Sequence, residues 1–496
     1  MSDTATAPIQ NPTALFIGGE WIEPSSSSRF DVLDSATEEV FATVAEAQAN
    51  DVERAVMAAR KAFDDGAWPR MTHDERAGYL RALGAEFDAR SADVARAWTI
   101  EAGLVHRMAV ANADGVGAIY SAYADLAGRF PFIEKHKPQV GNFGLLVREP
   151  VGVVVAIVPW NGPATSIAVK IAPALLAGCT VIVKLPPEAP IIGYMLAEAC
   201  AKIGFPPGVV NMLTADREVS ELLVRHPGVD KITFTGSTAA GRKIGAICGD
   251  RVARCTLELG GKSAALILDD YDIEEAAQRL ADMGCILTGQ GCGLLTRIIV
   301  SQDRHDAMVD ALSAAYSAKR VGNPFAAETQ MGPLAMARQR AKVERLIAQG
   351  IDEGATLATG GRRPAHLDRG YFIEPTVFGN VSNAHTIAQE EIFGPVLSVI
   401  PAADEQEAIR IANNSIYGLN GAVFTDDADR AYAVARQLRT GTVGHNNLVY
   451  DFSIAFGGFK QSGIGREGGR EGLLSFLEAK TIVLDADLLL EPFGGQ

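Results

Sequence analysis

The chain has 496 residues, a formal net charge of −15, 48% hydrophobic residues and 21% charged residues. That length exceeds the roughly 250–300 residues at which one hydrophobic core stops growing, so at least two domains are expected. The acidic balance argues against binding to nucleic-acid phosphates or anionic lipid, and the strongest apolar run, Val151–Val158, is far short of the ~18 residues of a membrane span. The six cysteines, at 179, 200, 248, 255, 285 and 292, show no C-x-x-C spacing, so neither a metal site nor a disulfide framework is expected. Met1–Thr13 has no basic or apolar leader pattern, and with reduced thiols this points to the cytoplasm.

In chain order, Phe16-Ile17-Gly18-Gly19-Glu20-Trp21 predicts two short strands around a Gly-Gly turn. Val52, Ala55, Val56, Ala59 and Phe63 keep a helical period. Thr72-His73-Asp74-Glu75 is a capping-box pattern ahead of Leu80, Leu83 and Phe87, and helical signal continues to about Gly128. Phe143–Arg148 follows as a strand or hairpin arm. From Val151 onward, short β-branched runs alternate with helical segments, the mark of a parallel sheet built from βαβ units. Strands are expected at Val151–Val158, Thr180–Lys184, Val209–Leu213, Lys231–Phe234, Thr256–Leu259 and Ala264–Leu268, with helices near 164–176, 189–203, 217–225 and 238–248. Ligands in doubly wound sheets sit at the carboxyl ends of strands, which singles out Pro159–Pro163, Lys184, Thr235–Gly241 and Leu257–Lys262. No G-x-G-x-x-G follows the first strand, and Gly236-Ser237 with Gly241 is a weak phosphate signal alone.

Alternating units continue with Thr296–Val300, a helix around 304–318, another over Ala335–Glu353, a strand at Val396–Ile400 and a helix at 405–414. Phe372–Pro375 and the glycine-rich region 441–466 are expected to loop back to a cleft, and Thr481–Leu484 closes the chain as a β-type run. Cys292 stands between Gly291 and Gly293 in Thr288–Gly293, too polar and side-chain-poor for ordinary core, which makes an accessible thiol and a candidate nucleophile. Most cysteines are inert small hydrophobes, and that reading suits the other five.

Pro159-Trp160-Asn161, Phe234-Thr235-Gly236-Ser237, Glu258-Leu259-Gly260-Gly261-Lys262, Gly289-Gln290-Gly291-Cys292, Glu391-Ile392-Phe393-Gly394-Pro395 and Phe456-Gly457-Gly458-Phe459-Lys460 occur in this order. Together they resemble the aldehyde dehydrogenase superfamily over nearly the whole chain. The resemblance implies an α/β architecture: a Rossmann-like doubly wound dinucleotide-binding domain (1–130 and 151–258), an α/β catalytic domain (259–480), and a β oligomerisation arm and tail (131–150 and 481–496). It makes Cys292 the nucleophile, Glu258 the general base and Asn161 an oxyanion donor. It places Lys184, Gly236, Ser237, Gly241, Trp160, Glu391 and Phe393 around a nicotinamide cofactor, and Gly162, Ser166, Val169, Gly291, Gly293 and Phe456 along the substrate tunnel. It also implies a homodimer or homotetramer acting on a small-molecule aldehyde, with no metal.

The chemistry asks for these residue types on its own terms. A thiolate adds to an aldehyde carbonyl, the resulting alkoxide needs donors, and after hydride leaves, the thioester needs a base to activate water. A free thiol has a pKa of about 8.5, so Cys292 needs help to ionise, from helix N-terminal dipoles or from Lys170. Rivals are acyl transfer to coenzyme A, which the water-activating Glu258 disfavours, and a cofactor-free thiol hydrolase, which needs a histidine base that no histidine setting here provides. A binding protein that keeps the fold without the chemistry is expected to lose Cys292 or Glu258.

Two stretches depart from the family pattern. Lys184-Leu185-Pro186-Pro187-Glu188 puts proline where relatives carry a ribose-binding glutamate. NAD is favoured over NADP because no Arg or Lys stands at 187 to meet a 2′-phosphate. Gly162, Ser166 and Val169 replace bulkier side chains, predicting a wide tunnel for bulky apolar or aromatic aldehydes unless Tyr450, Phe452 or Phe456 refill it.

Overall fold

The computed structural model describes residues 7–486. Five parallel strands form the centre of an eight-stranded sheet, in spatial order Arg254–Glu258, Lys231–Thr235, Val153–Ile157, Thr180–Leu185 and Val210–Thr214. The chain order runs outward from Val153–Ile157 in both directions. The crevice between that strand and Lys231–Thr235 is therefore a topological switch point, where open α/β sheets hold their ligands. Side-chain alternation explains the helices on both faces: Val153, Val155 and Ile157 enter one apolar cluster, Val154 and Ala156 the other. Leu15–Ile17 and Glu20–Ile22 add an antiparallel hairpin at one edge, turned by Gly18 and Gly19 at φ 68° and 86°.

A second sheet has seven strands in the order Thr356–Thr359, Thr376–Gly379, Val396–Ala402, Leu295–Ser301, Ser263–Ile267, Asn420–Phe424 and Thr442–His445. All pair in parallel except the first two. Here too the first strand in sequence, Ser263–Ile267, lies inside the sheet with Ala264 and Leu266 in one cluster and Ala265 and Ile267 in another. The two sheets are joined by only four residues, Leu259–Lys262, so the carboxyl end of one sheet feeds directly into the other.

Local signals locate the helices. Thr72 caps His73–Ala89 as expected: its Oγ1 accepts from Glu75 N at 3.2 Å, and Glu75 Oε2 accepts from Thr72 N at 2.7 Å. Pro163 opens the helix Pro163–Ala177, which Gly178 ends in a left-handed conformation at φ 99°.

Three expectations change. Region 441–466 is not all loop: Thr442–His445 is the edge of the second sheet and Gly463–Ile464 returns to pair with Leu257 and Glu258 at the edge of the first. Edge strands pair on one side only, so short glycine-bearing segments suffice there. Phe372–Pro375 does not line a cleft; Tyr371, Phe372 and Ile373 are buried, with Tyr371 N donating to Ser35 O at 3.1 Å. The closing strand begins four residues early, as Leu477–Leu484, and pairs along all of Phe143–Pro150, with Ile133–His136 on the far side. Residues 487–496 of the expected tail lie outside the described residues. Among the described residues no helix is long and apolar enough to cross a membrane.

Candidate active site

The loop bearing Cys292 is held by its backbone. Leu287 and Thr288 adopt left-handed conformations at φ 49° and 55°, followed by Gly289 at 75°. A left-handed non-glycine residue costs about 1–2 kcal/mol. The surroundings supply the restraint: Thr288 Oγ1 donates to Gly332 O (3.0 Å), and the buried Gln290 amide donates to Leu287 O (2.9 Å) and Ala102 O (3.3 Å) and accepts from Ala335 N (2.9 Å). The polarity of Thr288–Gln290 thus reflects buried hydrogen bonding, and the expected openness is confined to Gly291 and Cys292, which are half-buried. A Cβ on Gly289 would lie 2.2 Å from the Gly394 carbonyl carbon, and one on Gly261 2.2 Å from Cys292 O, so close backbone approach accounts for these glycines.

Burial pushes the Cys292 thiol up to about 12, and the Glu391 and Glu258 carboxylates add to the rise, while the N–H groups of Cys292 and Gly293 oppose it. Lys170 is not placed to relieve this. It is fully buried and ion-paired with Glu467, with a second hydrogen bond to Thr233 Oγ1 at 3.4 Å. Glu258 ends the strand Arg254–Glu258 at 3% exposure, and neither of its carboxylate oxygens has a hydrogen-bond partner. Burial first, then the Glu467 charge, raise it well above the usual carboxylate range; Lys170 and Arg466 pull it back. A carboxyl group raised in this way holds a proton more readily than an exposed one, the direction a general base near neutral pH calls for. Gly457, at φ 151°, leaves room for it, since a Cβ there would stand 2.5 Å from Glu258 Oε1. Asn161 Nδ2 donates to Gln290 O at 2.8 Å, and its backbone carbonyl accepts from Trp98 Nε1 at 2.8 Å. With the amide fixed by one N–H, its second N–H is left for an oxyanion.

The crevice residues divide by role. Lys184, at the carboxyl end of its strand, is brought down to about 8 by burial, against the opposing charges of Glu188 and Asp216. Ser237 caps the helix Thr238–Arg251, its Oγ accepting from Ala240 N at 3.3 Å. Gly236 and Gly241 serve packing in this fold: Cβ atoms there would meet Phe234 Cζ at 2.5 Å and Leu259 Cδ2 at 2.3 Å. Glu391 Oε1 accepts from Gly261 N at 3.1 Å, and Trp160 meets Phe393 edge-on with centroids 5.4 Å apart. A buried amine, a helix N-terminus and a carboxylate along one crevice fit the phosphates and ribose hydroxyls of a dinucleotide.

Gly162 stands at the N-cap of the helix Pro163–Ala177, which carries Ser166 and Val169. A Cβ on Gly162 would have Ser166 Oγ and Trp98 Cζ2 as neighbours, both at 3.8 Å, so the Trp98 ring takes up space beside the missing side chain. Val169 is buried at 2% exposure. Tyr450, Phe456 and Phe452 form an aromatic row with centroids 5.7 and 4.9 Å apart. Beside Gly291, Leu294 Cγ would lie 2.9 Å from an added Cβ.

Three contributors carry no signal in the sequence: Trp98, Glu467, and the positioning role of Gln290. Glu467 is buried because its backbone pairs with Phe456 (N···O 2.6 and 2.8 Å), a contact with no local signature.

Fold and site together define an α/β enzyme equipped for covalent thiol catalysis beside a dinucleotide crevice. The Aldehyde dehydrogenase family matches residues 21–482, and the chain belongs to that family. It is similar to a geranial dehydrogenase of Castellaniella defragrans, 43% identical over 471 residues covering 95% of this chain and 98% of the relative. A 3-succinoylsemialdehyde-pyridine dehydrogenase of a Pseudomonas species is 41% identical over 473 residues, 94% of this chain and 98% of its own. Among solved structures, a Mycobacterium tuberculosis aldehyde dehydrogenase complexed with NAD+ superposes with a TM-score of 0.93 at 42% identity, covering 98% of this chain and 99% of that one.

Proposed function

We propose that the protein oxidises a bulky apolar or aromatic aldehyde to its carboxylic acid with NAD, through a thioester on Cys292. The observation that carries this reading is the buried, unpartnered Glu258 carboxyl acting on the half-buried Cys292: a base there serves hydrolysis, and acyl transfer to coenzyme A has no need of it. Cys292 Sγ attacks the aldehyde carbon. The free N–H of Asn161 and the Cys292 backbone N–H receive the alkoxide, worth several kcal/mol in a dry site. A bound nicotinamide supplies the hydride acceptor. Glu258 then takes a proton from water attacking the thioester, and Cys292 leaves as thiolate.

Lys184, Ser237, Gly236, Gly241, Trp160, Glu391 and Phe393 form the cofactor site. NAD is favoured over NADP because no Arg or Lys stands at 187, and the first charge acting on Lys184 is the Glu188 carboxylate, whose cation Arg338 is already engaged by it. The aromatic row of Tyr450, Phe452 and Phe456 with Trp98 supports an apolar substrate, as does the geranial dehydrogenase relative. Residues 1–130 and 151–258 make the cofactor domain and 259–480 the catalytic domain. Within the described chain Leu477–Leu484 is an outer strand, and an open edge of that length suits pairing with a second subunit in a cytoplasmic homodimer or homotetramer. The test is nicotinamide reduction across an aldehyde panel, with and without coenzyme A, for the wild type and Cys292→Ala. Turnover independent of coenzyme A and absent in the variant is expected; a strict coenzyme A requirement overturns the hydrolytic reading.

A further inference from the structure

Two neighbouring parallel strands of the first sheet, Val153–Ile157 and Thr180–Leu185, end side by side, the first followed by Trp160 and the second by Glu188. The first turn of the helix Ala337–Asp352, from the catalytic domain, is tied to both ends. Gln339 Nε2 donates to Ile392 O at 3.2 Å and to Phe393 O at 2.7 Å, and the Phe393 ring meets Trp160 edge-on. One residue earlier, Arg338 Nη2 donates to Glu188 Oε1, an ion pair between residues 150 apart in the chain. The helix therefore reaches across the carboxyl ends of both strands, with Arg338 as its contact on the side that carries Lys184.

The two ties differ in permanence. Gln339 is buried and holds two backbone carbonyls of its own domain. The Arg338 side chain is 66% exposed and that of Glu188 21%, so water and salt compete for the pair. The backbone under Glu188 has little freedom to retreat: Pro186, Pro187 and Pro190 each lock a φ angle, and Ala189 N donates to Pro186 O at 3.4 Å. The proline-rich departure from the family pattern is thus a stiff turn that presents Glu188 to Arg338. The two domains are stitched together elsewhere by backbone hydrogen bonds, His106 N to Pro324 O at 2.9 Å and Tyr371 N to Ser35 O at 3.1 Å, which oppose a hinge opening of the crevice. What is free to open is the pair of side chains.

We propose that Arg338 and Glu188 form an interdomain strap across the mouth of the dinucleotide crevice, which parts to admit and release the cofactor and re-forms over it. The strap rests on the cofactor reading given above, and it governs exchange rather than the chemical step. Because one opening serves both entry and exit, weakening the pair speeds the two together and leaves affinity almost unaltered; a ligand that makes no contact with the strap has no preference between its open and closed forms. High ionic strength weakens an exposed ion pair, so salt acts on the strap in the same direction as its removal.

The test follows NADH by stopped-flow fluorescence, on mixing with the enzyme and on displacement by excess NAD, at low salt and in about 0.5 M NaCl. Arg338→Gln and Glu188→Gln are each expected to raise the association and dissociation rate constants about two- to fivefold at low salt, the range an ion pair with an exposed partner supports, with Kd moving less than about twofold. The double variant is expected to be no faster than either single one, since each already removes the same contact. Arg338→Lys keeps a cation and is expected to stay nearer the wild type, and salt to speed the wild type more than either glutamine variant. Wild-type rates in both glutamine variants overturn the strap. So does a faster release matched by an equal loss of affinity, which would make the pair a ligand of the cofactor and not a gate. Failure of the wild type to bind NADH would instead remove the cofactor reading beneath it.

Discussion

Gly457→Ala tests the base assignment without touching the base. At φ 151° an alanine is strained, at about 1–3 kcal/mol for a sparsely populated backbone region. Its Cβ would stand 2.5 Å from Glu258 Oε1 and 3.0 Å from both Arg466 Cδ and Gly465 O. Ordinary carbon–oxygen contacts lie at about 3.3–3.6 Å, so the carboxylate has to retreat by close to 1 Å. Its own strand offers little slack, since Glu258 pairs with Thr235 on one side and Gly463 on the other; the side chain must therefore rotate. A displacement of that size costs about a hundredfold in a step that depends on alignment. The step lost is thioester hydrolysis, so rapid mixing with aldehyde and NAD is expected to show a burst of reduced cofactor followed by a depressed steady rate. Urea unfolding separates the backbone cost from the catalytic one. A steady rate equal to that of the wild type, in a variant whose stability has dropped as expected, would refute the idea that Glu258 is poised on that side of its pocket.

Lys170→Met leaves Glu467 buried without its cation, which should cost about 3–5 kcal/mol in urea unfolding. It also removes a charge that holds Glu258 down, so the carboxyl rises further; because a base works only when ionised, the acid limb of the kcat profile should move to higher pH, and an unmoved limb would sever Lys170 from Glu258. Glu188→Gln is expected to narrow the preference for NAD over NADP, measured as dissociation constants by fluorescence titration; a wild type that binds NADP better overturns the assignment. Gly162→Phe places a ring against Trp98 and is expected to lower kcat/KM for ring-bearing aldehydes more than for acetaldehyde, and equal losses would place the tunnel elsewhere.

Val153–Ile157 and Thr180–Leu185 in the first sheet were legible because each is rich in β-branched residues and buried on both faces. The cap at Thr72 was legible because its four residues contain both partners of the reciprocal hydrogen bonds. Glu258 and Asn161 were legible through family resemblance; alone they are a strand-end carboxylate and a turn residue. What escaped is what distance in sequence hides. Lys170 and Glu467 are 297 residues apart, and Gly293 and Tyr450 are 157 apart. Arg466-Glu467-Gly468-Gly469 has the composition of a solvated turn, and only the pairing of Phe456 with Glu467 carries the carboxylate inside. The neighbour of Gly162 was hidden for a related reason: Gly162 announces a missing side chain, but the ring beside it, Trp98, comes from a different helix, Ser91–Ala102.

The charges of the site also decide its resting state. Glu258 and Glu467 are both buried, and one buried ammonium, Lys170, lies against them in direct contact with Glu467. Lys170 is committed to Glu467 and Arg466 acts on Glu258 only as the smaller of the two cations, so a second negative charge in the pocket is opposed by both desolvation and repulsion. Glu258 therefore retains its proton more readily than an ordinary carboxyl, and the thiol, raised by the same burial, retains its own. A donor such as the Asn161 amide, fixed on the Gln290 carbonyl two residues before Cys292, would therefore stabilise charge that develops during the reaction more than charge held beforehand.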